Sequence, residues 1–149
     1  KPILGICLGM QLLAGTGCER GERPGLGWIP GVVRRFAFPA SGLRVPHIGY
    51  NRVQVSREWP LFVGLRPGSD FYFLHSYYLE CDEELVVASC EYGLRFPAAI
   101  AAGNIFGTQF HPEKSQSVGL WLLDNFVRLD VDELRERCGG AARRRILPA

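Results

Sequence analysis

The chain has 149 residues, of which 47% are hydrophobic and 21% charged, with a formal net charge of +2. This composition is typical of one globular domain that is long enough to bury a substantial core. The small net charge gives no basis for binding nucleic acid or an anionic membrane. No apolar stretch reaches the roughly 20 residues that a membrane-spanning helix requires. We therefore expect neither nucleic acid nor a membrane as a partner.

The cysteines and histidines are spaced in a way that argues against a metal centre. The five cysteines, at positions 7, 18, 81, 90 and 138, are an odd number without a close C-x-x-C pair. A disulfide framework or a zinc site is therefore not expected. The three histidines lack the short mutual spacing of metal ligands. We predict reduced thiols, a cytoplasmic location, no metal and no cofactor.

In chain order, the first predicted elements are a buried strand over Pro2–Ile6 and a helix over Leu8–Ala14. Gly15 and Gly17 are predicted to end that helix. Residues 20–31 are rich in glycine and proline, which favours a loop. Strands rich in β-branched and aromatic residues are then predicted at 32–38, at 45–55 with an interruption near 46–51, and at 71–79.

The second half predicts a strand at 85–90, followed by a hairpin and a helix. Gly103-Asn104 joins the hairpin strands Ala98–Ala102 and Ile105–Phe110. Ser115 or Ser117 is predicted to cap the helix, whose apolar face is formed by Val118, Trp121, Leu122, Phe126 and Leu129. A short amphipathic helix is expected at 132–138 and a disordered tail at 141–149.

A sharp turn with a thiol at its apex is predicted at Gly5-Ile6-Cys7-Leu8-Gly9, between the first strand and the first helix. The helix N-terminus next to Cys7 is expected to favour the thiolate. The order of elements predicts an α/β fold with a mixed sheet. We expect the turn at the carboxyl end of a central parallel strand, where open α/β sheets place their active sites.

A base for this thiol is found about a hundred residues downstream. His111 ends a predicted strand, and Glu113 lies two residues later, where its carboxylate can orient the imidazole. The N–H of Leu8 is the natural oxyanion donor. Each part also has a structural interpretation, since Cys7 alone suits a core position and His-Pro-Glu suits a polar turn. His75 is equally consistent with a hydrogen-bonded core histidine.

The segments Gly5–Gln11 and Thr108–Glu113 together resemble the class I (triad) glutamine amidotransferases. Further segments narrow the resemblance to the glutaminase subunits of imidazole glycerol phosphate synthase, which act in histidine biosynthesis. These segments are GLGWIPG at 25–31, VPHIGYN at 45–51, FYFLHSYY at 71–78 and EKSQ at 113–116. The resemblance extends from Pro2 to about Leu129. It implies a flavodoxin-like mixed sheet with helices on both faces.

The resemblance implies that Cys7 attacks the side-chain amide of glutamine, that His111 transfers protons and that Glu113 orients His111. It places Gln11, Glu19, Ser76 and Tyr77 at substrate-holding positions. It also implies a heterodimer with a cyclase subunit, which uses the ammonia to make imidazole glycerol phosphate and AICAR. Lys114 and Tyr50, the latter in place of the family's usual tryptophan, are implied to face that partner.

Two other functions stay open at this stage. One is the glutaminase of another amidotransferase, such as those serving anthranilate, carbamoyl phosphate or guanylate synthesis. The other is a non-catalytic docking module that keeps the fold.

The sharp turn with Cys7 at its apex, called the elbow below, lies near the start of the sequence. Because the elbow lies at residue 7, we expect 1–149 to be a partial amidotransferase domain without its N-terminal part. Roughly 60 or more residues would be needed for two further βαβ units. The family's glycine-rich oxyanion strand is expected among them, and its absence is expected to leave Ile3, Leu4 and Ile6 on an unpaired edge.

Overall fold

The computed structural model describes residues 1–38, 42–130 and 134. Within them lie two α-helices, α1 (Leu8–Leu12) and α2 (Gln116–Val127), and 3₁₀ turns at Pro60–Phe62, Glu83–Leu85 and Pro112–Lys114. The strands are β1 (Ile3–Ile6), β2 (Ala14–Gly17), β3 (Arg23–Pro24), β4 (Ile29–Arg35), β5 (His47–Val55), β6 (Asp70–His75), β7 (Tyr77–Cys81), β8 (Val86–Glu91), β9 (Arg95–Ala102) and β10 (Ile105–Thr108). Apart from Leu134, the predicted helix at 132–138 and the predicted tail at 141–149 lie outside the described residues.

The strands form two sheets, each with parallel and antiparallel neighbours. The larger sheet has the order β1-β10-β9-β8-β5-β6, in which β1 and β10 are parallel and the other pairs antiparallel. The smaller sheet has the order β3-β2-β4-β7, in which β2 and β4 are parallel. The predicted α/β class with a mixed sheet is confirmed. The elbow strand β1 was expected to be central. Among the described residues it lies at one edge of the larger sheet.

The two helices pack on opposite faces of the larger sheet. Side chains alternate between the faces along a strand, so neighbouring residues of β10 enter different cores. Ile105 joins the cluster that contains Met10 of α1, whereas Phe106 joins the cluster that contains Leu122 of α2. The smaller sheet contributes to the first of these clusters through its buried residues. The prediction of helices on both faces is therefore confirmed.

The larger sheet curls, so that β6 at one edge approaches the carboxyl end of β10 near the other. The rings of Phe71 on β6 and Phe110, two residues after β10, stack with centroids 4.1 Å apart. The backbone N–H of His111 donates to the carbonyl of Tyr72 on β6, with N and O 2.8 Å apart. The curl therefore places β6 beside the residues that follow β10.

Long-range pairing corrects the predicted elements of the first half. The first helix ends at Leu12, and Gly15 and Gly17 belong to β2 because this segment pairs with β4 in a second sheet. The predicted loop at 20–31 contains β3 and the start of β4. Strand β5 is continuous from His47 to Val55, because β6 pairs with it from His47 to Arg52 and β8 pairs with it from Val53 to Val55.

The aromatic segment predicted as one strand at 71–79 is two strands. It divides at Ser76, because β6 pairs with β5 in the larger sheet and β7 pairs with β4 in the smaller one. The predicted β9–β10 hairpin is confirmed, with β9 beginning earlier, at Arg95, and β10 ending at Thr108. Among the described residues, no helix has the length and apolarity to cross a membrane.

Candidate active site

Cys7 lies at the turn between β1 and α1 in a conformation that few non-glycine residues adopt, with φ 51° and ψ −105°. Its N–H donates to the carbonyl of Thr108 over 2.7 Å, which ties the turn to β10. A Cβ on Gly5 would lie 2.7 Å from backbone atoms of Gly9, so only glycine lets α1 approach β1 this closely. Such backbone strain is typically found at functional positions, where it costs about 1–3 kcal/mol.

His111 and Glu113 form a short hydrogen bond at the 3₁₀ turn after β10. The Nδ1 of His111 lies 2.7 Å from Oε1 of Glu113 and donates to that carboxylate. With Nδ1 engaged in this way, Nε2 has no hydrogen-bond partner in the part of the chain that the structure describes. The His111 side chain is 18% exposed, so it can meet a molecule arriving from solvent.

The Ser115 side chain anchors this turn. Its hydroxyl donates to the His111 carbonyl over 2.6 Å and accepts from the Tyr72 N–H over 2.9 Å. Ser115 is the N-cap residue of α2, as predicted, but its side chain makes no cap hydrogen bond to the helix. The hydroxyl is fully buried and joins the His111 backbone to β6.

The Cys7 thiol has its own set of contacts. It donates weakly to the Leu74 carbonyl over 3.8 Å and accepts from the Gln109 side-chain amide over 3.6 Å. Among the described residues, no hydrogen bond joins this thiol to His111. The two side chains lie at the same end of the sheet, because β1 and β10 run parallel with Ile6 opposite Thr108.

Burial raises the pKa of the Cys7 thiol above its usual value. Hydrogen bonds from the Leu8 N–H and the Gln109 amide act in the opposite direction, and the charge of Glu113 adds to the rise. The net direction is opposite to the lowering expected from the helix N-terminus. Desolvation of the thiolate therefore outweighs the stabilisation that it receives from the Leu8 N–H at the start of α1. The free site holds a thiol that a base must deprotonate.

A cleft of about 440 Å³ opens beside the elbow. Its walls include Leu8 and three of the predicted substrate-holding residues, Gln11, Glu19 and Tyr77. Ser76, the fourth, is absent from the walls, and its carbonyl accepts from the N–H of Phe36 over 3.0 Å. The volume lies within the range of small-molecule binding sites.

Three residues of the cleft or of the thiol's surroundings were missed in the sequence. Arg20 and Arg23 line the cleft, and Gln109 contacts the sulfur. Gln109 lies in the segment Thr108–Glu113 that carries the family resemblance, so its place two residues before His111 could have marked it as a candidate site residue. The arginines lie in a segment predicted as loop, where nothing in the local pattern distinguishes a cleft residue from a solvated one.

Lys114 and Tyr50 lie together on the surface beside the 3₁₀ turn. The Tyr50 hydroxyl donates to the Lys114 carbonyl over 2.8 Å. The Lys114 ammonium lies 5.9 Å from the centre of the Tyr72 ring, which also packs edge-on against Tyr50. About half of the Tyr50 side-chain surface remains exposed.

His75 is a buried, hydrogen-bonded core histidine, which confirms the structural interpretation of that residue. Its Nε2 lies 3.1 Å from Nδ1 of His47, and its Nδ1 lies 2.8 Å from the Tyr77 carbonyl. Burial lowers the pKa of each imidazole to about 4. Among the described residues, no group of three or more histidine, cysteine or acidic side chains is arranged to hold a metal ion.

An α/β fold with a strained cysteine elbow and a paired His-x-Glu is typical of cysteine-dependent amide hydrolases. A family model described as "Glutamine amidotransferase class-I" matches residues 1–129. The chain belongs to this family.

Curated relatives include "Imidazole glycerol phosphate synthase subunit HisH 1" of Campylobacter jejuni (strain RM1221), which is 50% identical over 87% of this chain and 64% of its own length. A subunit HisH of Moorella thermoacetica is 52% identical over 86% of this chain and 60% of its own length. The chain thus spans about 60–64% of the length of these relatives.

Solved structures agree on the fold. A protein from Thermoplasma acidophilum, described as part of a putative GMP synthase, has a TM-score of 0.57 and 23% identity, over 93% of this chain and 61% of that chain. A glutamine amidotransferase from Thermotoga maritima has a TM-score of 0.55 and 20% identity, over 91% of this chain and 49% of that chain. Both are similar to this chain in the α/β amidotransferase fold.

Proposed function

We propose that this chain hydrolyses glutamine to glutamate and ammonia through a thioester on Cys7. The observation that carries the proposal is the His111–Glu113 contact of 2.7 Å, which follows the strand next to the one that ends at the Cys7 elbow. A nucleophile, a base and a carboxylate that orients the base are the parts that acyl transfer from an amide requires.

In the first half-reaction, His111 takes the proton from the Cys7 thiol, and the sulfur attacks the side-chain amide carbon of glutamine. The C–N bond then breaks, His111 gives the proton to the departing nitrogen, and ammonia leaves. The Glu113 carboxylate accepts from Nδ1 of His111 and stabilises the imidazolium that forms between these steps. The raised pKa of the Cys7 thiol makes this base necessary, since little thiolate exists in the free site.

In the second half-reaction, water attacks the thioester carbon and His111 takes its proton. The C–S bond breaks, the sulfur is reprotonated and glutamate is released. The Leu8 N–H, already directed at the sulfur, is the donor that we assign to the oxyanion in both halves. This one N–H supplies part of the stabilisation that a tetrahedral oxyanion needs.

The cleft holds the amino-acid end of the substrate in this proposal. The Glu19 carboxylate pairs with the α-ammonium group, and Gln11 and Tyr77 contribute polar contacts from the wall that they share with Leu8. Ser76 is the weakest of the proposed contacts, because it lies outside the walls of the cleft.

The ammonia is proposed to serve a cyclase partner that makes imidazole glycerol phosphate and AICAR in histidine biosynthesis, in the cytoplasm. Relatives about 50% identical and named as subunits of imidazole glycerol phosphate synthase support this assignment. Lys114 and the half-exposed Tyr50 are proposed to contact the partner. The reaction needs no metal and no cofactor in this proposal.

The test is labelling by a chloroketone analogue of glutamine, combined with a glutaminase assay with and without the cyclase. We expect labelling at Cys7, its loss in Cys7→Ala and its retention in Cys81→Ala. Cys81 is a matched control, because it is also half-buried and burial raises its pKa to about 11.

Three results would change the assignment. Absence of labelling in the native chain would leave a docking module as the function. Labelling with activation by an anthranilate, carbamoyl phosphate or GMP synthase partner, and not by the cyclase, would move the chain to that pathway. Labelling that persists in Cys7→Ala would exclude Cys7 as the nucleophile.

A further inference from the structure

Two side-chain amides connect the wall of the cleft to the catalytic sulfur. The Nε2 of Gln11 lies 2.9 Å from the Tyr77 carbonyl and 3.1 Å from Oε1 of Gln109. The Nε2 of Gln109 lies 3.6 Å from Sγ of Cys7. Gln109 is fully buried, whereas Gln11 is partly buried and lines the cleft. The two amides thus form a short chain of hydrogen bonds from Tyr77 to Cys7.

The direction of this chain is determined by a group that cannot reverse. A backbone carbonyl only accepts hydrogen bonds, so Gln11 must turn its NH₂ toward Tyr77. The second N–H of the same nitrogen then donates to Gln109, which must present its oxygen to Gln11. That leaves the NH₂ of Gln109 facing Cys7. Rotating Gln109 by 180° would set two NH₂ groups against each other and would turn an oxygen toward the sulfur.

His75 holds the anchoring carbonyl from the other side. Its Nδ1 donates to the same Tyr77 oxygen, and its Nε2 accepts from His47. Both imidazoles are buried and neutral at pH 7, since burial lowers their pKa values to about 4. The Tyr77 carbonyl therefore has two donors, which fits its two lone pairs.

We propose that Gln109 is a catalytic residue that stabilises the Cys7 thiolate through its side-chain N–H, and that Gln11 and the Tyr77 carbonyl hold it in that orientation. The proposal rests on the proposed function only in taking Cys7 as the nucleophile. Charge-assisted hydrogen bonds are stronger than neutral ones, so the contact gains strength when the sulfur loses its proton. It favours the thiolate without competing for His111.

The proposal also changes the role of Gln11. Both hydrogens of its NH₂ group are used, one on Tyr77 and one on Gln109, so only its oxygen is available to the cleft. Gln11 then presents an acceptor to the substrate, and a glutamine α-ammonium group is a donor that matches it. Gln11 is a positioning residue for Gln109 as well as a wall of the cleft.

The test measures the thiolate itself. The rate at which iodoacetamide alkylates Cys7 is followed against pH, and the Cys7 peptide is quantified by mass spectrometry so that the other four cysteines do not interfere. Gln109→Met keeps the length of the side chain and removes the donor. In Gln109→Met, we expect the pH midpoint of the alkylation rate of Cys7 to rise by about one unit, which lowers the alkylation rate at pH 7 about tenfold. Gln54→Met, at an exposed position on β5, should leave the midpoint unchanged.

An unchanged midpoint in a folded Gln109→Met chain would overturn the proposal. If thermal melting shows that this variant does not fold, Gln11→Met replaces it, because that side chain is partly exposed in the cleft. Loss of the Gln11 anchor should raise the pH midpoint of alkylation by less than the one unit expected for Gln109→Met. An unchanged midpoint in Gln11→Met would also overturn the proposal. If the native chain has no glutaminase activity but Gln109→Met still raises the pH midpoint of Cys7 alkylation, the proposed function is refuted and the role of Gln109 is supported.

Discussion

Acidification should destabilise this chain through His47 and His75. Both side chains are at least 95% buried, and burial is the main cause that lowers each pKa to about 4. In the unfolded chain each imidazole returns to about 6.5 and takes up a proton below that pH. Between these values the unfolded state binds more protons than the folded state, so the free energy of unfolding falls as the pH falls.

The magnitude follows from the two pKa values of each imidazole. On lowering the pH from 7 to 5.5, one such group costs about 1.2 kcal/mol, and the pair costs about 2.5 kcal/mol. This is a large share of the roughly 5–15 kcal/mol that stabilises a typical domain. The window stays above the range in which carboxylates with ordinary pKa values titrate, so the two histidines dominate it.

Urea unfolding at several pH values between 7 and 5.5 measures this effect. The variants His47→Gln and His75→Gln each remove one titrating ring, and each should halve the loss. The double variant should be nearly independent of pH in this window, although its stability at pH 7 will be lower. The reasoning is refuted if the native chain and the double variant lose the same free energy on acidification.

Further predictions concern the elbow, the anchor of the base and the triad. Gly5→Ala should lower the free energy of unfolding in urea by about 1–3 kcal/mol because its Cβ meets backbone atoms. Gly9→Ala, with nothing within 4 Å of the new Cβ, should be neutral or stabilise by up to about 1 kcal/mol, and equal losses would contradict the packing argument. Ser115→Ala should cost about 1–3 kcal/mol in the same assay, since it leaves the Tyr72 N–H without its hydroxyl acceptor and removes one donor from the His111 carbonyl, and a neutral result would show that the hydroxyl is not needed. Glu113→Gln should lower kcat for ammonia release by about 10²–10⁴-fold while KM for glutamine and thermal stability stay near native values. A rate within a few fold of native would remove Glu113 from the triad.

Much of the candidate site could be read from short segments. The elbow at Cys7 depends on a strand, a glycine and a helix start that are adjacent in sequence, and the His111–Glu113 contact depends on residues two apart. Local geometry of this kind leaves few alternatives, so the pattern predicts it well. The hairpin around Gly103-Asn104 was predictable for the same reason.

Pairing between distant segments was not predictable from those patterns. Whether Ala14–Gly17 continues a helix or pairs with β4 depends on a partner more than ten residues away, and the glycines suit either outcome. The split at Ser76 likewise depends on two different partner strands. Local preference is weak at such positions, and tertiary contacts override it.

The sequence by itself predicted the α/β class, which the structure confirms, and the residues that we propose as nucleophile, base and orienting carboxylate, because each depends on the types of neighbouring residues. Only the tertiary structure decided the protonation state of the Cys7 thiol and the groups that contact it. Burial and the Glu113 charge raise the pKa of Cys7 against the hydrogen bonds from the Leu8 N–H and the Gln109 amide. The direction of the Gln11–Gln109 chain depends on a Tyr77 carbonyl 66 residues from Gln11. Desolvation and hydrogen-bond polarity are properties of the packed chain, since they arise from groups that meet only after folding.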